Sequence, residues 1–305
     1  MLPEVYDSLL RPWSPETPQS TWEHVFSPAW DVPDDRIGFA MTDGGRVVGM
    51  LGTIFSERSI GGRNEQFCNL HGWIVDPEYR SRSLTLMRPL LNLKGYTLTD
   101  FTSGTGVNAM MKRLGFTSID TTATVLPTLL TRGRSARATA DAMAGPPDQF
   151  ADVLSPSDLR IYADHRELDC GHLLFRVDGS YCYLVYTRID RHMMPYCLLH
   201  YISDRPLFAK HHATIRSHLM RAAGSRLVVV DTRIVRALNI PFSFRVGATE
   251  KLYRSTTVAP EEVDTLYSEM LFFRHTTLPG IRHQLRLAAT RMVPAMFRDA
   301  ARNGN

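Results

Sequence analysis

One order of elements is written twice along this chain of 305 residues, as in two copies of one mixed-sheet layer fold, or as mixed α+β domains can produce by chance. In the first half, "IGFAMTDGGRVVGMLGTIF" reads as two strands reversing at Asp43-Gly44-Gly45, because glycine supplies the positive φ of a tight hairpin. "QFCNLHGWIV" is a third strand, and Ser83 to Leu93 a helix with Leu84, Met87, Leu90 and Leu91 on its apolar face. Pro89 removes one intrahelical bond there and bends the axis. "YTLTDFTS", "VNAMMKRLGF" and "TTATVLP" then give a strand, a short helix closed by Gly115, and a strand. From Leu154 the order begins again: a hairpin across Asp178-Gly179, the strand "YCLLHYIS", a helix from Pro206 to Ala223, the strand "RLVVVDT", the short helix "TRIVRALNI" and final strands in "FSFRVGATEKLYR". The predicted class is α+β, an α/β/α-type mixed sheet in two related domains in tandem. The expected division is a lead over 1–29, a first domain over 30–127, a connector over 128–150, a second domain over 151–275 and a C-terminal helix over 276–305.

Composition narrows the class. Hydrophobic residues make up 44% of the chain, enough for one large core or two ordinary ones. Apolar runs stop at strand length, far short of the ~20 residues that cross a bilayer. "MLPEVYDSLLRPWSPE" has acidic residues and prolines where a secretory signal has basic residues and an apolar run, so a soluble cytoplasmic protein is expected. Cys68, Cys170, Cys182 and Cys197 form no C-x-x-C pair and sit mostly in apolar runs, as buried free thiols do. The net charge is +4, and no dense basic stripe interleaved with aromatics precedes the C-terminal segment, which argues against a nucleic-acid partner.

The chemistry concentrates in "LHGWIVDPEYRSRSLTLMRPLL", where a strand stops at Asp76-Pro77, Arg80 and Arg82 bracket Ser81, and a helix-like run follows. Unpaired N–H groups gather where the C-terminal end of a strand meets a helix N-terminus, and they hold anions. The segment Arg80 to Thr85 is therefore a candidate diphosphate site, neutralised further by the two arginines. As a plain surface turn, the same residues would only meet solvent, with Ser81 or Ser83 capping the helix and His71 and Trp73 filling a core.

Val75, Pro77, Glu78, Tyr79, Arg80 and Leu84, with Leu114-Gly115-Phe116 further on, resemble the coenzyme A signature and distal Leu-Gly-Phe of the GNAT acyltransferase superfamily. The resemblance covers residues 36–126 and is weaker over 154–255. It implies acyl-CoA or acetyl-CoA as co-substrate and no metal, with the pyrophosphate on the turn after the third strand named above. Arg80 takes the first signature position, Ser81 and Arg82 the next two, Ser83 the glycine position, Leu84 the following one and Thr85 the final small position. Ile74 and Val75 belong to the strand that receives the acyl arm, which the family splays from its neighbour. There are departures: Ser83 and Thr85 carry side chains where smaller residues are usual, Gly104 stands where asparagine is frequent, and Met111 replaces a tyrosine acid and has no proton to give. In the second half "HYISDRPLFAK" occupies the place of the cofactor turn, with Asp204 and Pro206 inside it, so an acceptor pocket or interdomain groove is expected there.

An attacking amine or hydroxyl must lose a proton. Alternation along "NLHGWIV" places Asn69, His71, Trp73 and Val75 on one face, and the family often carries a carboxylate near the position of Asn69. Asparagine cannot take the proton and His71 can, so His71 is the expected catalytic base, its other reading being a buried imidazole bonded to backbone. Glu57, Glu65 and Asp100 serve instead if the acceptor enters from the other side, and His200 is the corresponding histidine of the second half. His165, Glu167 and Asp169 alternate as strand residues do, without defining a zinc shell, and Asp231 with Arg233 reads as a satisfied strand end. The expected reaction moves an acyl group from acyl-CoA, or from an acyl-carrier protein with the same arm, to a small-molecule or a lipid- or saccharide-linked acceptor. The alternative is a catalytically inactive GNAT-like binding or regulatory protein, which Ser83 and Met111 favour. In "LPGIRHQLRLAATRMVPAMFRDAARNGN", Ile281, Leu285, Ala288, Met292 and Met296 share one helix face opposite Arg282, Arg286, Arg291 and Arg298. The expectations for such a segment are docking on its own chain or in a homodimer, a peripheral contact with an anionic membrane, or a frayed tail.

Overall fold

The computed structural model describes residues 2–128, 143–145, 151–190 and 195–278. Residues 2–13 are helical and lead into α1 (Gln19–Phe26). β1 (Gly38–Asp43) and β2 (Arg46–Ile60) reverse at the predicted Gly44-Gly45, and β2 and β3 (Arg63–Val75) reverse at Gly61-Gly62, with positive φ at all four glycines. Next come a 3-10 helix (Pro77–Thr85), α2 (Arg88–Leu91), β4 (Tyr96–Asp100), α3 (Thr105–Arg113) and β5 (Thr117–Pro127). They are followed by β6 (Met143–Gly145), α4 (Pro156–His165), β7 (Gly171–Val177), β8 (Ser180–Ile189), β9 (Tyr196–Ile202), α5 (Arg205–Lys210) and α6 (His212–Ala222). β10 (Leu227–Asp231), α7 (Thr232–Val235), β11 (Phe244–Arg254) and α8 (Glu269–Phe272) complete the described chain.

Among the described residues, all eleven strands form one sheet in the order β1-β2-β3-β4-β11-β5-β10-β9-β8-β7-β6. Setting the short β6 aside, the order is symmetric about the β11–β5 pair. β11, the last strand of the second half, lies between β4 and β5, and β5, the last strand of the first, lies between β11 and β10. The inner neighbours β3/β4 and β9/β10 are parallel in both halves, and every other pair is antiparallel. The plan is repeated, but two separate domains are not what the chain builds: the halves exchange their final strands and share one sheet. Each exchanged strand covers a backbone edge that the other half would leave unpaired.

Each half packs helices on one face. Leu86, Met87, Leu90 and Met111 cover Phe55, Cys68 and Leu98 in the first, and Ile215, Leu219 and Met220 cover Leu184, Leu199 and Val228 in the second. On the opposite face Ile54 joins Tyr183, Val185 and Leu266 in one core that also takes Trp30 from the N-terminal lead. Trp22 of α1 is 1% exposed, packed with Leu10, Val47 and Met50, so the lead is integral to the fold. All four cysteines are free thiols, Cys170 half-buried and the others buried. No helix among the described residues is long and apolar enough to cross a membrane.

Two local expectations are corrected. The helix expected over Ser83 to Leu93 is instead the 3-10 helix followed by the four-residue α2, in which Pro89 sits in the first turn. Proline has no N–H to continue a helix begun upstream and is at home where a new one starts. His165 ends the helix α4 and belongs to no strand. The connector beyond Thr128, apart from β6, and the C-terminal helix beyond Leu278 lie outside the described residues.

Candidate functional site

The site begins where a ladder stops. β3 and β4 pair from Gln66↔Tyr96 to Asn69↔Thr99, after which β3 runs on to Val75 bonded to β2 alone. Residues 70–75 therefore turn an unpaired edge toward a wedge between the two parallel strands. Gly72, at φ +54°, coincides with a register shift opposite Leu51 and forms a bulge. The bulge corrects the simple alternation. Cys68 and Leu70 share a core with Trp73 and Val75, whereas His71 meets the rings of Trp22 and Phe26 in the neighbourhood of Ile74.

Two adjoining cavities follow the wedge. The outer, about 250 Å³, is lined by Ile74, Val75, Arg80 and Ser83; the inner, about 220 Å³, by His71, Gly72, Asp100, Thr102 and Ser103. Trp13, Trp73 and Val107 border both, so one groove leads from the Arg80 turn to His71. Ile74, Val75, Arg80, Ser83 and His71 are thus brought together. Ser81, Arg82, Leu84 and Thr85 lie on the exposed side of the turn, outside the lining. Trp13, in the proline-rich lead, carried no motif that would have revealed its place over the groove.

The turn differs from an open anion cradle. Its 3-10 helix directs N–H groups at carbonyls three residues back, as in Tyr79 N–H to Asp76 O at 2.9 Å and Leu86 N–H to Ser83 O at 3.1 Å. No residue of the turn has a positive φ. Arg46 pins the start through Asp76 at 3.0 Å, and Tyr79 donates to Asp43. What the turn offers outward is chiefly the guanidinium groups of Arg80 and Arg82 and the Ser83 hydroxyl, both arginines being exposed.

At the inner end His71 is 4% exposed and neither ring nitrogen has a hydrogen-bond partner. Burial alone pulls its pKa down to about 3, so the imidazole is neutral. The ring fits because Gly52, opposite it on β2, has no side chain. Asn69 is occupied structurally: its amide donates to Thr99 Oγ1 at 3.1 Å and its oxygen accepts from Glu269 N–H at 3.2 Å. Asp100 accepts from the N–H groups of Thr102 and Ser103 at 3.3 and 3.1 Å, and burial outweighs these bonds to raise its pKa to about 6. Glu269 Oε1 accepts from Phe101 N–H at 3.1 Å and Thr102 Oγ1–H at 3.0 Å, while its Oε2 is buried without a partner. Burial first, then Asp100, pushes the Glu269 carboxyl up to about 8. Nothing around Glu269 in the sequence suggested a site. Met111 is fully buried in the first-half core, and Gly115, at φ +90°, ends α3 as expected.

The second half has a corresponding place. β9 outruns its pairing with β10 at Leu199↔Val230, and beyond it a cavity of about 640 Å³ opens between β9, α4 and the end of β2. Glu57, Asp204, Glu261, Glu262 and Asp264 line it with Arg58, Arg160 and Arg205, and Asp204 caps α5 by accepting from Leu207 N–H at 2.7 Å. His200 lies 2.9 and 2.7 Å from the hydroxyls of Thr187 and Thr265, and His165 lies 2.8 and 3.2 Å from the carbonyls of Ile161 and Leu266. Asp231 is held by Arg233 and Lys251, each at 2.5 Å, as a buried strand terminus. Glu65, near the start of the interior strand β3, accepts from Thr257, away from both wedge cavities.

The sequence matches no protein-family model and no curated protein. Among solved structures it is similar to a conserved protein of unknown function from Enterococcus faecalis V583, a probable N-acyltransferase. That match has 11% identity over 83% of this chain and 70% of that one, with a TM-score of 0.55. It is also similar to a GCN5-related N-acetyltransferase from Anabaena variabilis ATCC 29413, at 9% identity over 78% and 71% of the two chains, a looser match with a TM-score of 0.47. The chain therefore shares the α+β fold of the Enterococcus faecalis protein.

Proposed function

We propose that this protein transfers an acyl group from acyl-CoA to an amine or hydroxyl. The observation that carries this reading is the groove from Arg80 and Ser83 to His71, along a strand whose edge is free to bond an extended amide-bearing arm. The pyrophosphate lies on the Arg80 to Thr85 turn, held more by Arg80 and Arg82 than by backbone, and Ile74 and Val75 receive the arm. The thioester reaches the inner cavity, where His71 accepts the proton of the attacking group. A single-phosphodiester arm on a carrier protein demands less of the turn, and the acceptor is a small molecule or a lipid- or saccharide-linked one.

Calorimetric titration with acetyl-CoA and a longer acyl-CoA is the test. Arg80→Ala and Arg82→Ala each weaken binding by about 1 kcal/mol, and unchanged affinity in both places the ligand elsewhere. Two observations favour a second reading, a catalytically inactive CoA-binding protein: the turn is wound as a 3-10 helix and Met111 is sealed in the core. Binding without thiol release across a broad acceptor panel would select it.

A further inference from the structure

A neutral imidazole in an apolar surround can receive a proton but cannot keep it, so the inner cavity needs a second group. Resting on the acyltransfer reading, we propose that Asp100 stores the acceptor's proton during transfer and that Glu269 of α8, a positioning residue bonded to the same turn, holds the proton that leaves Asp100 ionised. The two carboxyls are bound to successive groups of one short turn: Glu269 to Phe101 N–H and Thr102 Oγ1–H, Asp100 to Thr102 N–H and Ser103 N–H. Asp100 lines the cavity with His71, and Glu269 stands behind it, 1% exposed.

The groups facing this pair come from five elements. β3 brings His71 and the neutral Asn69, the buried residues of α1 are Trp22, Val25 and Phe26, and α8 buries Met270 and Leu271 beside Glu269. β11, whose Leu252 pairs with Asp100, carries Glu250, bonded to Lys112 and Asn108 of α3, and Lys251, bonded to Asp231. Two buried carboxylates this close do not both ionise readily. Near neutral pH the ordering of their pKa values, about 6 and about 8, leaves Asp100 charged and Glu269 protonated. In the reaction, the N–C bond forms as the C–S bond breaks, the amine proton passes through His71 to the Asp100 carboxylate, and Asp100 returns it to the departing thiolate. Atoms and charge balance with no further reactant. This supplies the proton donor whose usual position is taken by Met111.

The experiment has two independent parts. Infrared spectra of the whole protein at pH 7 should contain the C=O stretch of a neutral buried carboxyl, lost in Glu269→Gln and kept in Asp100→Asn. Its absence from the wild type overturns the shared proton, whatever the protein catalyses. Thiol release should then fall by about 100-fold in Asp100→Asn with acyl-CoA affinity unchanged. The wild-type profile should rise near pH 6 and decline near pH 8, where a second buried negative charge opposes the leaving thiolate, and Glu269→Gln should abolish the decline alone. Asp100→Asn at wild-type rate, or an unaltered profile in Glu269→Gln, overturns the proposal. If acyl-CoA binds and the wild type releases no thiol, the acyltransfer reading fails and Asp100 has no such role, while the infrared band still decides the pair.

Discussion

His71 occupies its place by permission of Gly52. A Cβ at position 52 would lie 2.3 to 2.8 Å from atoms of the imidazole ring. Gly52→Ala should therefore displace the ring, costing about 1–3 kcal/mol in denaturant unfolding and reducing turnover more than CoA affinity. Unchanged turnover with full stability would count against His71 as the reacting group. The depressed pKa of His71 fixes a sign as well: its contribution to stability is complete above the ordinary value of 6.5 and is lost as pH falls toward about 3. A rate limb near pH 6 is then the mark of Asp100, and His71→Gln should lower the rate without moving it. Asp231 is a structural counterpart. Its carboxyl is held far below the usual range because Lys251 and Arg233 outweigh burial, so its stabilisation is present above pH 3.8 and fades in stronger acid. Asp231→Ala strands two buried cations and should cost about 3–5 kcal/mol at pH 7 by urea unfolding, with the gap to wild type narrowing below pH 3.8.

At the scale of elements, the turn after β3 and the bulge within it are where local sequence and family resemblance part company. Without glycine at position 83 the turn winds as a 3-10 helix, and its donors are directed inward to its own carbonyls. Ser83→Gly should loosen that winding, freeing N–H groups for a diphosphate and tightening CoA binding by about 1 kcal/mol, the scale of one net hydrogen bond. Calorimetry on the variant checks this, and weaker binding would mean that the serine hydroxyl itself holds the phosphate. The bulge at Gly72 was not legible from alternation, because period two assumes an unbroken pleat and one extra residue reverses every face beyond it. The hairpins at Gly44-Gly45 and at Asp178-Gly179 were legible, since a two-residue reversal is determined by the φ angles its own residues accept. Gly61-Gly62 carried the same signal.

For the whole molecule, the exchange of β5 and β11 makes the halves interdependent. A chain ending after Thr128 leaves β4 and β5 without the strand between them, and should be insoluble alone. It should become soluble on co-expression with residues 143–305, by gel filtration and circular dichroism. Independent, cooperative folding of either half would contradict the exchange. What the sequence determined by itself is local: hairpins, strand-length runs, the Gly115 cap and the order of elements, together with a resemblance that implied the fold and pointed to the Arg80 turn. Each depends on residues within a few positions of one another, where dihedral preference and periodicity act directly. Only the tertiary structure decided that the two layers fuse into one sheet, that β3 and β4 part after Asn69, and that Glu269 reaches Phe101 and Thr102. Those outcomes depend on pairing edges and burying carboxyls between segments far apart in the chain, and the energy of such contacts leaves no period in the sequence that brings them together.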